Sequence, residues 1–236
     1  MTRGTLYLIP VPLGPTAPDT CLPAPVIARV RPLQHFVVEN AKSARAFLKA
    51  CGTDLPLQAL HLAELNEHTR PEALHALLEP LRDGHDLGLL SEAGCPAVAD
   101  PGADLVALAQ CEDIRVVPLV GPSSLLLALM GSGLNGQRFA FHGYLPAKEA
   151  ERAKSLRELE GESRKRRQTQ IFIETPYRNR QLFECILNTC QPSTRVTVAA
   201  DLSLPDEMIR TLEVRQWKKQ APPDLERRPT VFLLLA

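Results

Sequence analysis

Leu87-Gly-Leu-Leu-Ser91-Glu-Ala-Gly-Cys95-Pro-Ala-Val-Ala-Asp100-Pro-Gly102 is the stretch that decides the fold class. Its first four residues are apolar or glycine and predict a buried strand. From Ser91 the chain turns to small residues, proline and two carboxylates, and a helical pattern resumes at Ala103. Strand, loop and helix start is the repeating unit of an open α/β sheet. Ligands bind such sheets beyond the carboxyl ends of the strands, where small residues let a ligand touch backbone and a carboxylate can take up hydroxyl or amino groups. Taken alone, the same loop is equally an ordinary strand-to-helix connection.

Working outward, the 236 residues suffice for one large or two modest domains, each with its own core. Apolar content of 44% and charged content of 23% argue against disorder and coiled coil. Lys plus Arg equals Asp plus Glu at 27 each, which removes any whole-chain electrostatic argument for nucleic-acid binding and leaves only a local patch. No apolar run reaches the roughly 18 to 20 residues of a membrane span, and the start reads as a strand broken by proline. The expectation is a soluble, cytoplasmic protein with no membrane segment. The six cysteines are scattered without ligand spacing, so no metal is expected. His61, His68 and His75 recur every seven residues, but Arg70-Pro71 interrupts any continuous helix between them, and they read as solvated surface histidines.

Before the deciding stretch, Thr5 to Ile9 predicts a strand that empties into Pro10-Val-Pro-Leu-Gly-Pro15, and Pro18 to Pro32 holds a short helix. His35 to Val38 is a second strand, followed by a helix from Ala41 to Cys51 closed by Gly52. Residues 55 to 60 suggest a short strand, and Pro71 opens a helix through Leu81 that Gly84 ends. After it, Ile114 to Val120 is a strand running into Gly121-Pro-Ser-Ser124. Leu125 to Met130 is apolar all round and predicts a deeply buried helix, with Ser123 or Ser124 as N-cap. Strands are expected at 138–142, 170–173, 195–200, 208–214 and 230–235, with a charged segment from Lys148 to Arg167 and an amphipathic helix from Asn179. The order predicts two α/β domains, residues 1–120 and 121–236.

Four strand-end loops, Pro10 to Pro15, Ser91 to Pro96, Gly121 to Ser124 and Glu174 to Arg178, share glycine, proline, small hydroxyls and an occasional carboxylate, and are expected to line one cleft. None is a phosphate loop, since no lysine follows the glycines. These loops and their flanks, Gly4 to Gly14, Ser91 to Gly102, Val117 to Ser124, Arg138 to Lys148 and Ile171 to Arg178, resemble the successive motifs of the tetrapyrrole-methylase superfamily of S-adenosylmethionine-dependent methyltransferases. The resemblance covers nearly the whole chain in the right order. It is nearest to the branch that methylates ribose 2′-hydroxyls of small-subunit ribosomal RNA.

The resemblance implies two α/β domains with S-adenosylmethionine in the cleft between them, and usually a homodimer. Carried over motif by motif, Pro12 and Leu13 would pack on the cofactor, Glu92, Ala93 and Cys95 would line its site, and Ser123 and Ser124 would hold its amino-acid end. Ile173, Glu174, Leu202 and Thr230 would complete the adenosine side. The RNA branch carries Glu-Asp-Thr-Arg after its second strand, where this chain has Glu39-Asn-Ala-Lys42 with an arginine only at Arg45, so the cofactor half matches better than the substrate half.

Three functions remain open at this point. The leading one is methyl transfer to RNA of the small ribosomal subunit, with Glu39 accepting the hydroxyl proton and Lys42 and Arg45 contacting phosphate. The second moves the methyl to a tetrapyrrole or other small molecule, and the third is a non-catalytic binding protein on the same fold. A solvated charge cluster at a helix start is the plain alternative for Glu39, Lys42 and Arg45. Likewise the run Arg164-Lys-Arg-Arg167 is either a solvated loop or, with an RNA acceptor, a set of phosphate contacts.

Overall fold

The computed structural model describes residues 3–66 and 69–236. The chain forms two compact units, Met1–Ser123 and Ser124–Ala236.

In the first unit the elements follow as β1 (Leu6–Ile9), α1 (Ala24–Val30), β2 (His35–Val38), α2 (Ala41–Cys51), β3 (His61–Glu64), α3 (Leu74–Leu77), α4 (Glu79–Arg82), β4 (Leu87–Leu90), α5 (Ala103–Cys111) and β5 (Val116–Pro118). The strands make one sheet in the order β3-β2-β4-β1-β5, with every pairing parallel. β4 is buried along its length, as a central parallel strand covered on both faces must be. Its alternation splits the core: Leu87 and Leu89 pack with Leu105 and Ala109 of α5, and Leu90 packs on the other face with Phe36, Phe47 and Leu48. Gly88 is required between them, because a Cβ there would stand 2.7 Å from both Ile9 Cδ1 and Phe36 Cδ1.

α2 forms as its local signals dictate. The Asn40 side chain accepts from the N–H of Lys42 (2.9 Å) and of Ser43 (3.4 Å), and Gly52 closes the helix at φ 72°. Ala44, Phe47, Leu48 and Cys51 form its buried stripe. A buried stripe with two large side chains is worth several kcal/mol, at about 1.5–3 kcal/mol for each large one.

Elsewhere the first unit departs from expectation. The strand expected over residues 55 to 60 is a 3-10 turn at Leu57–Ala59, and the strand is the polar His61–Glu64. As an edge strand it is held by its ladder to β2, so it needs no apolar run. The helix expected from Pro71 to Leu81 is broken into a 3-10 turn (Pro71–Ala73), α3 and α4. Pro80 breaks it, having no N–H to donate and a ring that clashes with the carbonyl four residues back. The segment from Pro18 likewise divides into a 3-10 turn (Pro18–Thr20) and α1, and only Val116–Pro118 of the expected 114–120 strand pairs.

The second unit runs α6 (Ser124–Ser132), β6 (Phe139–Tyr144), α7 (Glu149–Arg166), β7 (Thr169–Ile173), α8 (Asn179–Thr189), β8 (Arg195–Ala200), β9 (Met208–Glu213), α9 (Val214–Trp217) and β10 (Thr230–Leu235). Its sheet order is β6-β7-β10-β8-β9; β6 and β7 are parallel and the other pairs antiparallel. The fully buried β10 lies at the centre, where Phe232 stacks on Phe172 with ring centres 6.1 Å apart. Phe183 meets Trp217 edge-on at 5.3 Å, and the indole N–H donates to the Val196 carbonyl.

Two expectations fail here for physical reasons. α6 is not deeply buried: Ala128 and Leu129 are, but Leu126 is 52% and Met130 79% exposed. An all-round apolar helix carries no information about which face its own chain covers. Nor is Arg164 to Arg167 a loop. It is the last turn of α7 and its cap, with Arg167 at φ 51° and Arg166 paired to Glu162 one turn back. Cations there oppose the helix dipole favourably, which offsets their mutual repulsion.

Candidate functional site

Neighbouring strands β2 and β4 send their chains in opposite directions, β2 outward to β3 and β4 across β1 to β5. Such a divergence leaves a crevice at the carboxyl ends of the two strands. Four polar side chains gather there. The Glu92 N–H donates to Glu39 Oε2 (3.1 Å), and the Ser43 hydroxyl donates to Glu92 Oε1 (3.1 Å). Asp100 lies beside them, half-buried. Burial, and then the Glu39 charge, push its carboxyl up to about 6, with Glu92 adding to the rise and the Ser91 hydroxyl opposing it. A carboxyl poised there can exchange a proton near neutral pH.

The deciding loop itself is bent by four residues with positive φ: Gly94 (74°), Ala97 (65°), Ala99 (63°) and Gly102 (126°). Two alanines in this region are strained, at a cost of about 1 kcal/mol or more each. Val11 and Gly94 exchange both backbone hydrogen bonds at 2.9 Å, tying the loop after β1 to this one. The Cys95 thiol donates to the Pro122 carbonyl (3.4 Å), tying in the loop after β5. Within the first unit the structure thus joins Pro12 (buried), Leu13 and Cys95 (half-buried) and the exposed Glu92 and Ala93 in one set of interlocked loops, with the half-buried Ser123 next to Pro122. Burial and Asp100 push the Cys95 thiol up, so it is a neutral packing group.

Glu39 is held in the carboxylate group, whereas Lys42 and Arg45 stay exposed on the first turns of α2, Arg45 donating to the Ala41 carbonyl at 3.4 Å. Ser91, Ser43 and Asp100 were not singled out as site residues from the sequence. A second carboxylate in the same loop as Glu92 is the signal that points to Asp100.

In the second unit, Ser124 opens α6, Ile173 ends β7 opposite Val231, Leu202 is buried, and the Thr230 hydroxyl donates to the Arg228 carbonyl (2.9 Å). Glu174 is buried and lopsided. Its Oε1 accepts from the Thr175 N–H (2.8 Å) and from Arg178 Nη2 (2.7 Å) and Nε (3.0 Å), while Oε2 has no partner among the described residues. Asn179, also missed from the sequence, donates to the Arg228 carbonyl (2.7 Å) and leaves a buried Oδ1 without a partner among the described residues. Two buried acceptors without donors are costly unless a donor arrives, and the hydroxyl and amino groups of a nucleoside are such donors. Among the described residues no group of three or more His, Cys, Asp or Glu side chains is placed to hold a metal. His61 stacks on His35 (4.8 Å) and His75 lies 3.9 Å from Glu112, so the two serve different neighbours; His68 lies outside the described residues.

Comparison with known proteins follows the same lines. The model of the family described as Tetrapyrrole (Corrin/Porphyrin) Methylases matches residues 8–217. The Ribosomal RNA small subunit methyltransferase I of Pseudomonas aeruginosa is 33% identical over 220 residues, covering 92% of this chain and 74% of that protein. Its namesake from Xylella fastidiosa is 38% identical over 201 residues, covering 84% and 68%. Among solved structures, a diphthine synthase superposes with a TM-score of 0.67 at 14% identity, covering 99% of this chain and 90% of its own. The methyltransferase CobJ gives 0.63 at 19% identity, covering 100% and 94%. These structural likenesses establish the fold.

Proposed function

We propose, from the premise that the chain belongs to the tetrapyrrole (corrin/porphyrin) methylase family of S-adenosylmethionine-dependent methyltransferases, that it methylates a ribose 2′-hydroxyl in RNA of the small ribosomal subunit. The observation that carries this reading is the Glu39, Glu92 and Asp100 group at the divergence of β2 and β4. A hydroxyl acceptor must lose a proton, and a carboxyl adjusted towards neutrality is suited to take it. Asp100, held by Ser91 and set by Glu39, accepts that proton in this reading; Glu39 tunes it. Lys42 and Arg45, exposed beside the group, contact the acceptor's phosphates. S-adenosylmethionine supplies the electrophilic methyl on its sulfonium. In the first unit the residues proposed to contact it are Pro12, Leu13, Glu92, Ala93, Cys95 and Ser123; in the second they are Ser124, Ile173, Glu174, Leu202 and Thr230. No helix of the described residues is long and apolar enough to cross a membrane, and the reading sets the protein in the cytoplasm, where ribosomal subunits are.

Labelled methyl offered with small ribosomal subunits, total RNA and porphyrin precursors in parallel tests the acceptor. Label is expected in small-subunit RNA, in an alkali-resistant dinucleotide as a 2′-O-methyl group demands. Label in porphyrin alone, or in no acceptor, refutes the reading.

Calorimetry in the presence of chelator is expected to show cofactor binding undiminished, because the loops offer backbone and small polar groups rather than metal ligands. Under the same conditions Glu174→Gln should weaken binding about tenfold, the loss of one charge-assisted hydrogen bond to Oε2. The melting temperature should fall as well, because the neutral amide removes the charge of the buried pair with Arg178, so affinity is read on the folded protein. Unaltered affinity would remove Glu174 from the cofactor site.

A homodimer is the assembly this reading carries. Leu126 and Met130, four residues apart on one face of α6, expose apolar surface that a second copy would cover. Light scattering should give twice the 26.0 kDa chain mass, and Met130→Asp should return it to that of one chain. A monomeric parent protein overturns the assignment.

A further inference from the structure

The whole chain is electrically neutral, yet its cations are not evenly spread. At the end of α7, Arg164, Lys165, Arg166 and Arg167 are all exposed. A different element adds to them: Arg138, just before β6, donates to the Arg166 carbonyl (3.4 Å). The turn that carries it is clamped on. Asn135 donates to the Arg167 carbonyl (2.6 Å) and accepts from the N–H groups of Gln137 (2.9 Å) and Arg138 (3.3 Å), and the Thr169 hydroxyl donates to the Asn135 carbonyl (3.0 Å). Glu162, one turn back, is paired to Arg166 at 2.5 Å. Phe139, next to Arg138 at the edge of the second sheet, is 42% exposed.

The helix dipole accounts for cations inside the last turn of α7. It does not account for Arg138, which comes from another element, nor for Arg167 in its left-handed cap beyond the helix. Held backbone under clustered, exposed guanidinium groups is a surface fitted to a line of phosphates, and an exposed aromatic edge beside it suits an unstacked base. We infer that Arg138, Arg164, Lys165 and Arg167 form a docking surface for the sugar-phosphate backbone of single-stranded or looped RNA, with Phe139 as a base platform. The inference rests on the RNA reading above and goes beyond it by giving the second unit a part in holding the acceptor.

The test uses the full chain carrying Arg138→Gln, Arg164→Gln, Lys165→Gln and Arg167→Gln together, with Arg166 left on Glu162. Binding to a small-subunit ribosomal RNA fragment is measured across a salt series, beside cofactor calorimetry and thermal melting. The slope of log affinity against log salt should flatten by roughly 0.7 to 0.9 for each phosphate that is no longer neutralised. Affinity at about 0.1 M salt should fall tenfold or more, with cofactor affinity and melting temperature unchanged. Lysine in place of each glutamine should restore the slope, and Phe139→Ala should weaken binding without altering it. If the wild type methylates RNA but the glutamine variant keeps its slope, the docking surface is wrong and the acceptor reading stands. If the wild type neither binds nor methylates RNA, the acceptor reading fails and the surface falls with it. A variant that loses cofactor affinity or melts early would mark the residues as structural and overturn the inference.

Discussion

Replacing Asp100 with asparagine is expected to lower methyl transfer by about 10²- to 10⁴-fold, the usual contribution of a positioned proton acceptor, while making the protein more heat-stable above pH 6. The sign follows from the carboxyl's environment. Its ordinary value of 3.8 is pushed up to about 6, so the native state holds this proton more tightly than the unfolded chain does. The stability that the protonated group contributes is complete below about 3.8 and is lost as the pH rises through about 6. Asparagine does not ionise, so the melting temperatures of variant and wild type should diverge across that window in the variant's favour. The rate of the wild type should show a rising limb with a midpoint near pH 6, absent from the variant. Glu39→Gln should move that midpoint down, because Glu39 is the charge that contributes most to the rise; Glu92 adds less, and the neutral Cys95 thiol adds no charge. An Asp100→Asn protein that turns over at the wild-type rate would exclude Asp100 as proton acceptor. Stability gained at the expense of activity is the usual mark of a site built under strain.

Gly121→Ala should have the second large effect. A Cβ at this position would stand 2.3 Å from Pro10 Cβ and 2.6 Å from Pro10 Cγ, with Leu22 Cδ2 at 3.0 Å. A proline ring has no rotamer into which it can withdraw, so one backbone must move. Overpacking of this kind costs about 1–3 kcal/mol, or a fall of several degrees in melting temperature for a chain of this size. The displaced loop is the one that carries Pro12 and Leu13, so cofactor affinity should fall tenfold or more in calorimetry. Gly136→Ala provides the control, since a Cβ there meets nothing within 4 Å and both measurements should be unchanged. If Gly121→Ala melts and binds as the parent does, the two loops are not in close approach.

Sequence by itself determined the elements whose causes are local. Leu87 to Leu90 reads as a buried strand because nothing polar interrupts it. The Ala41 to Cys51 helix announces its cap in Asn40, its stripe in Phe47 and Leu48 and its stop in Gly52, and Thr230 to Leu235 is as apolar as a central strand must be. The motif order was legible for the same reason, since strand-end loops need small residues in consecutive stretches. Tertiary structure alone decided what depends on neighbours distant in the chain. His61 to Glu64 is a strand because β2 offers it a ladder, not because of its own pattern. Ala97 and Ala99 adopt positive φ, which their side chains disfavour, because the loop between β4 and α5 is tied down at Val11 and Pro122. The Asp100 carboxyl owes its poise to burial and to Glu39, sixty-one positions earlier, and Arg138 joins the end of α7 through bonds to Arg166 and Arg167. Hydropathy and propensity act over a few residues, whereas electric fields and packing act over a few ångströms, and only the fold converts one distance into the other.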